Sequence, residues 1–135
     1  MGIEKILTRI SNEISIATSQ MAGELFEMPL SSKQELMEAL SRYDAEIEEV
    51  ASRRTDIDLH LTHSISQACS NLLEDNWDSA GDFEKRLIML ACNYYIEEDD
   101  DEGGDFDSVL GFDDDAAVLN IVLENLERED LIVLI

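Results

Sequence analysis

The sequence predicts an all-α fold, a single-domain bundle of about five helices with an acidic loop between the last two. Three observations predict it. Apolar residues recur at alternating spacings of three and four along most of the chain, which is the period of a helix buried on one face. The chain's one proline, Pro29, and a few short polar breaks divide these stripes into helix-sized lengths. The apolar share, 44% of 135 residues, is enough for one sizeable core and too little for two.

Ile3, Leu7, Ile10, Ile14, Ala17 and Met21 form the first stripe, which reads as one helix running to about Phe26 before Pro29. Ser32 followed by Glu35 is a capping box, and Leu36, Leu40, Tyr43, Ile47 and Val50 continue a second helix to about Arg54. These two are expected to pair as a hairpin. A third helix is expected from Asp56 to Glu74 with Leu61, Ile65, Cys69 and Leu72 inward, then a break holding Trp77 and Gly81. A fourth begins at Asp82 and carries Phe83, Leu87, Leu90, Ala91, Tyr94 and Tyr95. The last, capped by Asp113 or Asp114, is apolar on nearly every side from Ala116 to Leu126 and is expected to be central. The closing Leu131–Leu134 run and Ile135 suit a short strand, a tail docked on the core, or a contact between two copies.

Charge is the most informative departure from an ordinary helical protein. Thirty-two acids against nine bases give a net −23. That balance excludes recognition of nucleic acid through its phosphates, which requires clustered lysine and arginine. It makes a basic protein surface or a divalent cation the natural counterpart. The charge is also concentrated: residues 97 to 135 hold one base and fifteen acids, a net of −14. Between Glu97 and Asp115 there are eleven acids and no base, with Gly103, Gly104 and Gly111 supplying turn conformations. Glu97, Glu98, Asp99, Asp100, Glu102, Asp107 and Asp113 are the residues expected to meet a partner.

Other chemistry is thinly represented. Read as an EF-hand from Asp99, the loop places Asp99, Asp101, Gly103, Gly104, Asp105 and Asp107 at the first, third, fifth, sixth, seventh and ninth positions, but the twelfth is Leu110. Without the bidentate carboxylate, what is left is a weaker site for Ca²⁺, Mg²⁺ or Mn²⁺ or a solvated run of charge. His60 and His63, with Asp56 a turn earlier, share a helix face that either holds a metal or is simply solvated. No nucleophile elbow, phosphate-cradling glycine loop or triad pattern is present, so the chain is not expected to be an enzyme. Cys69 and Cys92 sit among apolar neighbours as small buried thiols. The start lacks a signal-peptide layout, Ile6 and Leu7 stand where a myristoylation signal wants serine or threonine, and no apolar run nears the ~20 residues of a membrane span. A cytoplasmic protein with no cofactor is the expectation.

From Tyr95 to Leu119 the chain resembles the YkvA-like family of bacterial helical domains of unknown function. Tyr95, Asp101, Asp105, Phe106, Gly111, Phe112, Asp114, Asp115 and Ala116 stand at that family's tyrosine, its first and second aspartates, phenylalanine, glycine, aromatic, paired aspartates and alanine. The segment Trp77 to Leu90 is similar to its lead-in helix. The resemblance implies a helix-loop-helix over 76–130, appended to a helical hairpin and third helix over 1–75. It implies that Asp101, Asp105, Asp114 and Asp115 are shared scaffold or cation residues, capping helices and tying turns or ligating a metal. Three family prolines are replaced here by Asp99, Gly104 and Ser108, so a stiff apolar loop has become an acidic one.

Three function classes follow from these residues. The first is an acidic interaction protein that binds and neutralises a basic partner, as an immunity protein or nucleic-acid mimic does to a nuclease toxin. The second is a metal-binding module that uses the Asp-rich loop. The third is a structural subunit that forms a homodimer through the first hairpin and the tail from Leu131 to Ile135.

Overall fold

The computed structural model describes residues 2–54, 57–97 and 112–134. Every regular element among them is helical: α1 (Ile3–Glu13), α2 (Ile16–Phe26), α3 (Lys33–Ala51), α4 (Leu59–Asn76), α5 (Asp82–Glu97) and α6 (Asp113–Asn125), with 3₁₀ turns at Trp77–Ser79 and Glu129–Leu131. No helix of the described residues is long and apolar enough to cross a membrane.

The first stripe is broken where one continuous helix is expected. The amide groups of Ile14 and Ser15 both converge on the Ile10 carbonyl, at 2.8 and 3.1 Å, which closes α1. Ser15 then takes an extended conformation and its hydroxyl accepts from the Thr18 amide at 3.0 Å, opening α2. The second helix folds back along the first, so that the Ser19 hydroxyl donates to the Leu7 carbonyl at 2.8 Å. Gly23 is the point of close approach: a β-carbon there would lie 3.4 Å from a Leu7 methyl. The reversal changes which residues face inward. Thr18, Ala22 and Leu25 are buried in α2, while Ala17, expected on the stripe, is exposed.

The capping box that opens α3 is present in both directions, Glu35 amide to Ser32 hydroxyl at 3.0 Å and Ser32 amide to Glu35 carboxylate at 2.8 Å. Leu36, Leu40, Tyr43 and Ile47 are buried as their spacing predicts. They pack chiefly on α4 and α5 rather than on the first stripe, and the hairpin partner of α1 is α2. The third expected helix starts later than Asp56. Asp58 caps it, accepting from the Leu61 amide at 3.0 Å, and it runs on to Asn76.

The helix with most neighbours is α5, which packs against α2, α3, α4 and α6, so the central position expected for the last helix is shared with it. Arg86 ties its start to the rest of the chain. One guanidinium nitrogen donates to the carbonyls of both Phe26 and Met28 at 3.0 Å, pinning the link between α2 and α3, while Nε reaches Asp82. The last helix buries Ala116, Val118, Leu119, Ile121, Val122 and Leu123 and packs on α5, α4 and α1. Beyond it the tail is docked rather than stranded. The Asn120 side chain accepts from the Val133 amide at 2.8 Å and donates to the Val133 carbonyl at 2.9 Å, as a neighbouring strand would.

The end of α6 carries the only non-glycine residue with positive φ among the described residues, Glu127 at 60°. The Arg128 amide reaches back to the Leu123 carbonyl at 2.8 Å and the Glu127 amide to Glu124 at 3.2 Å, which is the Schellman pattern. That pattern wants glycine where glutamate stands, because a β-carbon crowds the carbonyl in this conformation. Glu127→Gly is therefore expected to raise stability by about 1 kcal/mol, seen as a higher urea midpoint with an unchanged slope. A lower midpoint would mean that the glutamate side chain contributes more than its backbone costs.

Candidate functional site

The acidic run begins with the last residue of α5 and ends in the first turn of α6. Both points are fixed by rings. Tyr95, fully buried in the last turn of α5, has its ring centroid 6.1 Å from that of Phe112, the residue immediately before α6. Tyr95 also meets Tyr43 of α3 edge to face at 4.9 Å. Three aromatic residues from three parts of the chain are thus joined through Tyr95. Tyr95 also donates from its hydroxyl to the Thr62 carbonyl of α4 at 3.3 Å, and Tyr94 from its own to Thr18 of α2 at 3.4 Å.

Beside these rings lies a polar layer. Asp44 of α3 accepts a hydrogen bond from the Ser66 hydroxyl of α4 at 2.6 Å. Partial burial pushes the Asp44 carboxyl up from the ordinary aspartate value, against the pull of Ser66 and of nearby His63. The Tyr95 phenol is raised by burial first and by the charge of Asp44 next, so it stays neutral and serves as a donor. Cys69 and Cys92 are free and buried, and the Cys69 thiol is raised well above the ordinary range, first by its hydrogen bond with Cys92 and then by burial. The Cys69 thiol is not set up as a nucleophile, since reactivity requires the thiolate.

The residues singled out in the sequence fall into three groups. Glu98, Asp99, Asp100, Asp101, Glu102, Asp105 and Asp107 lie outside the described residues. Glu97 is the last residue of α5, on the near side of the segment. Asp113, Asp114 and Asp115 form the first turn of α6, where their charge meets the positive end of the helix dipole. The cap position expected of Asp113 or Asp114 is held by Phe112 instead.

Asp114 and Asp115 were paired in the sequence as cation residues, and the fold sends them apart. Successive residues of an α-helix are turned by about 100°. Asp114 is exposed and Asp115 is 1% exposed, close enough to Tyr95 and Cys69 for its charge to raise both. Asp115 is thus a member of the polar layer. His60 and His63 are both exposed on α4; His63 faces Glu48 of α3 at 3.5 Å, and Asp56 lies outside the described residues. No group of three or more His, Cys, Asp or Glu side chains is arranged to hold a metal ion among the described residues.

Asp44 and Ser66 escape a sequence reading because nothing in either motif marks them. Each does adjoin a stripe residue, Asp44 after Tyr43 and Ser66 after Ile65, which sets it at the edge of a buried face. Comparison of the chain with protein-family models, with curated proteins and with solved structures finds no match.

A group whose carboxyl is raised by folding takes up a proton more readily folded than unfolded. The stability Asp44 lends is full below 3.8, its ordinary value, and is lost as pH rises through the raised folded value. In urea titrations Asp44→Asn should therefore gain on the parent as pH rises from about 4 to neutrality. A difference that stays flat over that range would show that Asp44 is not held in its raised state.

Proposed function

We propose that this protein is an acidic interaction protein whose 97–115 segment engages a basic protein surface and neutralises it. The observation that carries the reading is the contact of Tyr95 with both Tyr43 and Phe112, which ties the described residues on either side of the acidic run to a buried core. A partner gains most from a charged segment when its ends are already immobile, because less ordering entropy is lost on binding. A net of −14 in the last part of the chain supplies the field that speeds encounter with a positive surface. In this reading the chain is a single-domain helical bundle, and the segment is a recast YkvA-like loop. The retained Asp101, Asp105 and Asp114 shape it, while the added Asp99, Asp100 and Glu102 meet the partner.

The Tyr95 phenol and the Cys69 thiol support a binding role over a catalytic one, since both are buried and held in their neutral forms. A nuclease is the kind of basic partner this charge fits, since a surface built for phosphates is also complementary to dense carboxylates.

The test is a variant with Asp99, Asp100, Asp101 and Asp105 all replaced by Asn. Thermal melts should show it folded as the parent is. Against a basic protein recovered from the native cell on immobilised parent, its affinity at low salt should fall by at least roughly tenfold and its dependence on salt should flatten. Unchanged affinity, or a recovered partner that is itself acidic, would overturn the proposal.

A further inference from the structure

We infer that the outer face of α4, together with the docked tail, is a surface on which a second copy of this chain binds. Residues 59–73 contain no Asp, Glu, Lys or Arg, although charged residues make up 30% of the whole chain. That stretch is not simply interior. His60, His63 and Gln67 are exposed along it, and Ser64 and Asn71 are half-buried. Alongside runs a groove of about 560 Å³ between this face and residues 130–134 of the tail, floored by Ala68 and Val133. At its edge stands Leu134, 89% exposed, the most exposed large apolar side chain among the described residues.

The groove's wall carries a single acid, and its charge is compensated. Asp130 is held by Arg128 at 3.0 Å, and the same guanidinium reaches Asp75 at 3.3 Å. The identity of the occupant follows from this pattern. A chain of net −23 that approaches its own copy is repelled wherever carboxylates face each other, so self-association requires a face from which they are missing. A basic partner gains nothing from such a face and is drawn to the acidic segment instead. Depletion of charge with an apolar centre is also the composition of an interface core. In a two-fold pair the same patch meets itself, so Leu134 of each protomer enters the groove that the other protomer's α4 and tail provide.

Sedimentation equilibrium of the full chain tests this. A concentration-dependent dimer should appear and should tighten as salt is raised from about 0.05 to 0.5 M, because salt screens the repulsion that opposes it. This is the opposite of the salt response expected for a basic partner, so each idea can fail alone. Leu134→Glu and Gln67→Glu change exposed side chains and should leave the thermal melt unaltered while weakening the dimer at least about tenfold each. Ile16→Glu, at a 67% exposed position on α2, should leave dimerisation as it is. A monomer at every salt and protein concentration, a dimer indifferent to Leu134→Glu, or one abolished by Ile16→Glu would overturn the inference.

Discussion

Nine consecutive residues of α5, Leu87 to Tyr95, are buried, and the arrangement of the other helices follows from that. A helix enclosed on all sides has no solvent face to satisfy, so it must be surrounded. Here α2, α3, α4 and α6 surround it. Each leucine, isoleucine, methionine or tyrosine fully withdrawn from water contributes on the order of 1.5–3 kcal/mol before chain entropy is set against it. No other element among the described residues concentrates so much of that stabilisation. The surrounding helices can afford a polar outer face because α5 supplies the apolar surface each of them needs.

The acidic segment depends on the same helix. It begins at the end of α5, and Tyr95 is both the last fully buried residue of that helix and the ring that contacts Tyr43 and Phe112. Repulsion among eleven carboxylates would favour moving the two ends of the segment apart. The Tyr95–Phe112 contact, the burial of Ala116, Val118 and Leu119, and the position of three aspartates at the dipole of α6 oppose that tendency. Asp115 is the exception in the first turn of α6: it is taken into the polar layer with Tyr95 and Asp44, whereas Asp114 beside it is exposed.

The polar layer and the neutral face of α4 are two sides of one helix. Inward, α4 offers Thr62, Ser66 and Cys69, which bond or contact groups of α3 and α5. Outward it offers histidine, serine, glutamine and asparagine without a formal charge. A surface of this kind is unusual on so acidic a chain. Residues 59–73 thus form an uncharged outer face of α4 on an otherwise strongly acidic chain.

The periodicity of the apolar residues by itself determined the helical class, the core positions of α3 and α4, the limits of α5 at Asp82 and Glu97, and the capping box at Ser32, because these are local properties of spacing and of neighbouring hydrogen-bond groups. The concentration of charge between Glu97 and Asp115 was equally plain. The split of the first stripe at Ser15 was not, since a helix that continues and one that reverses satisfy the same spacing until α5 is there for Thr18, Ala22 and Leu25 to pack on. Nor were the pairing of α3 with α4 and α5, the separation of Asp114 from Asp115, and the neutral groove beside Leu134. Each of these depends on which faces meet across distant parts of the chain, and side-chain type carries no record of that until the core closes.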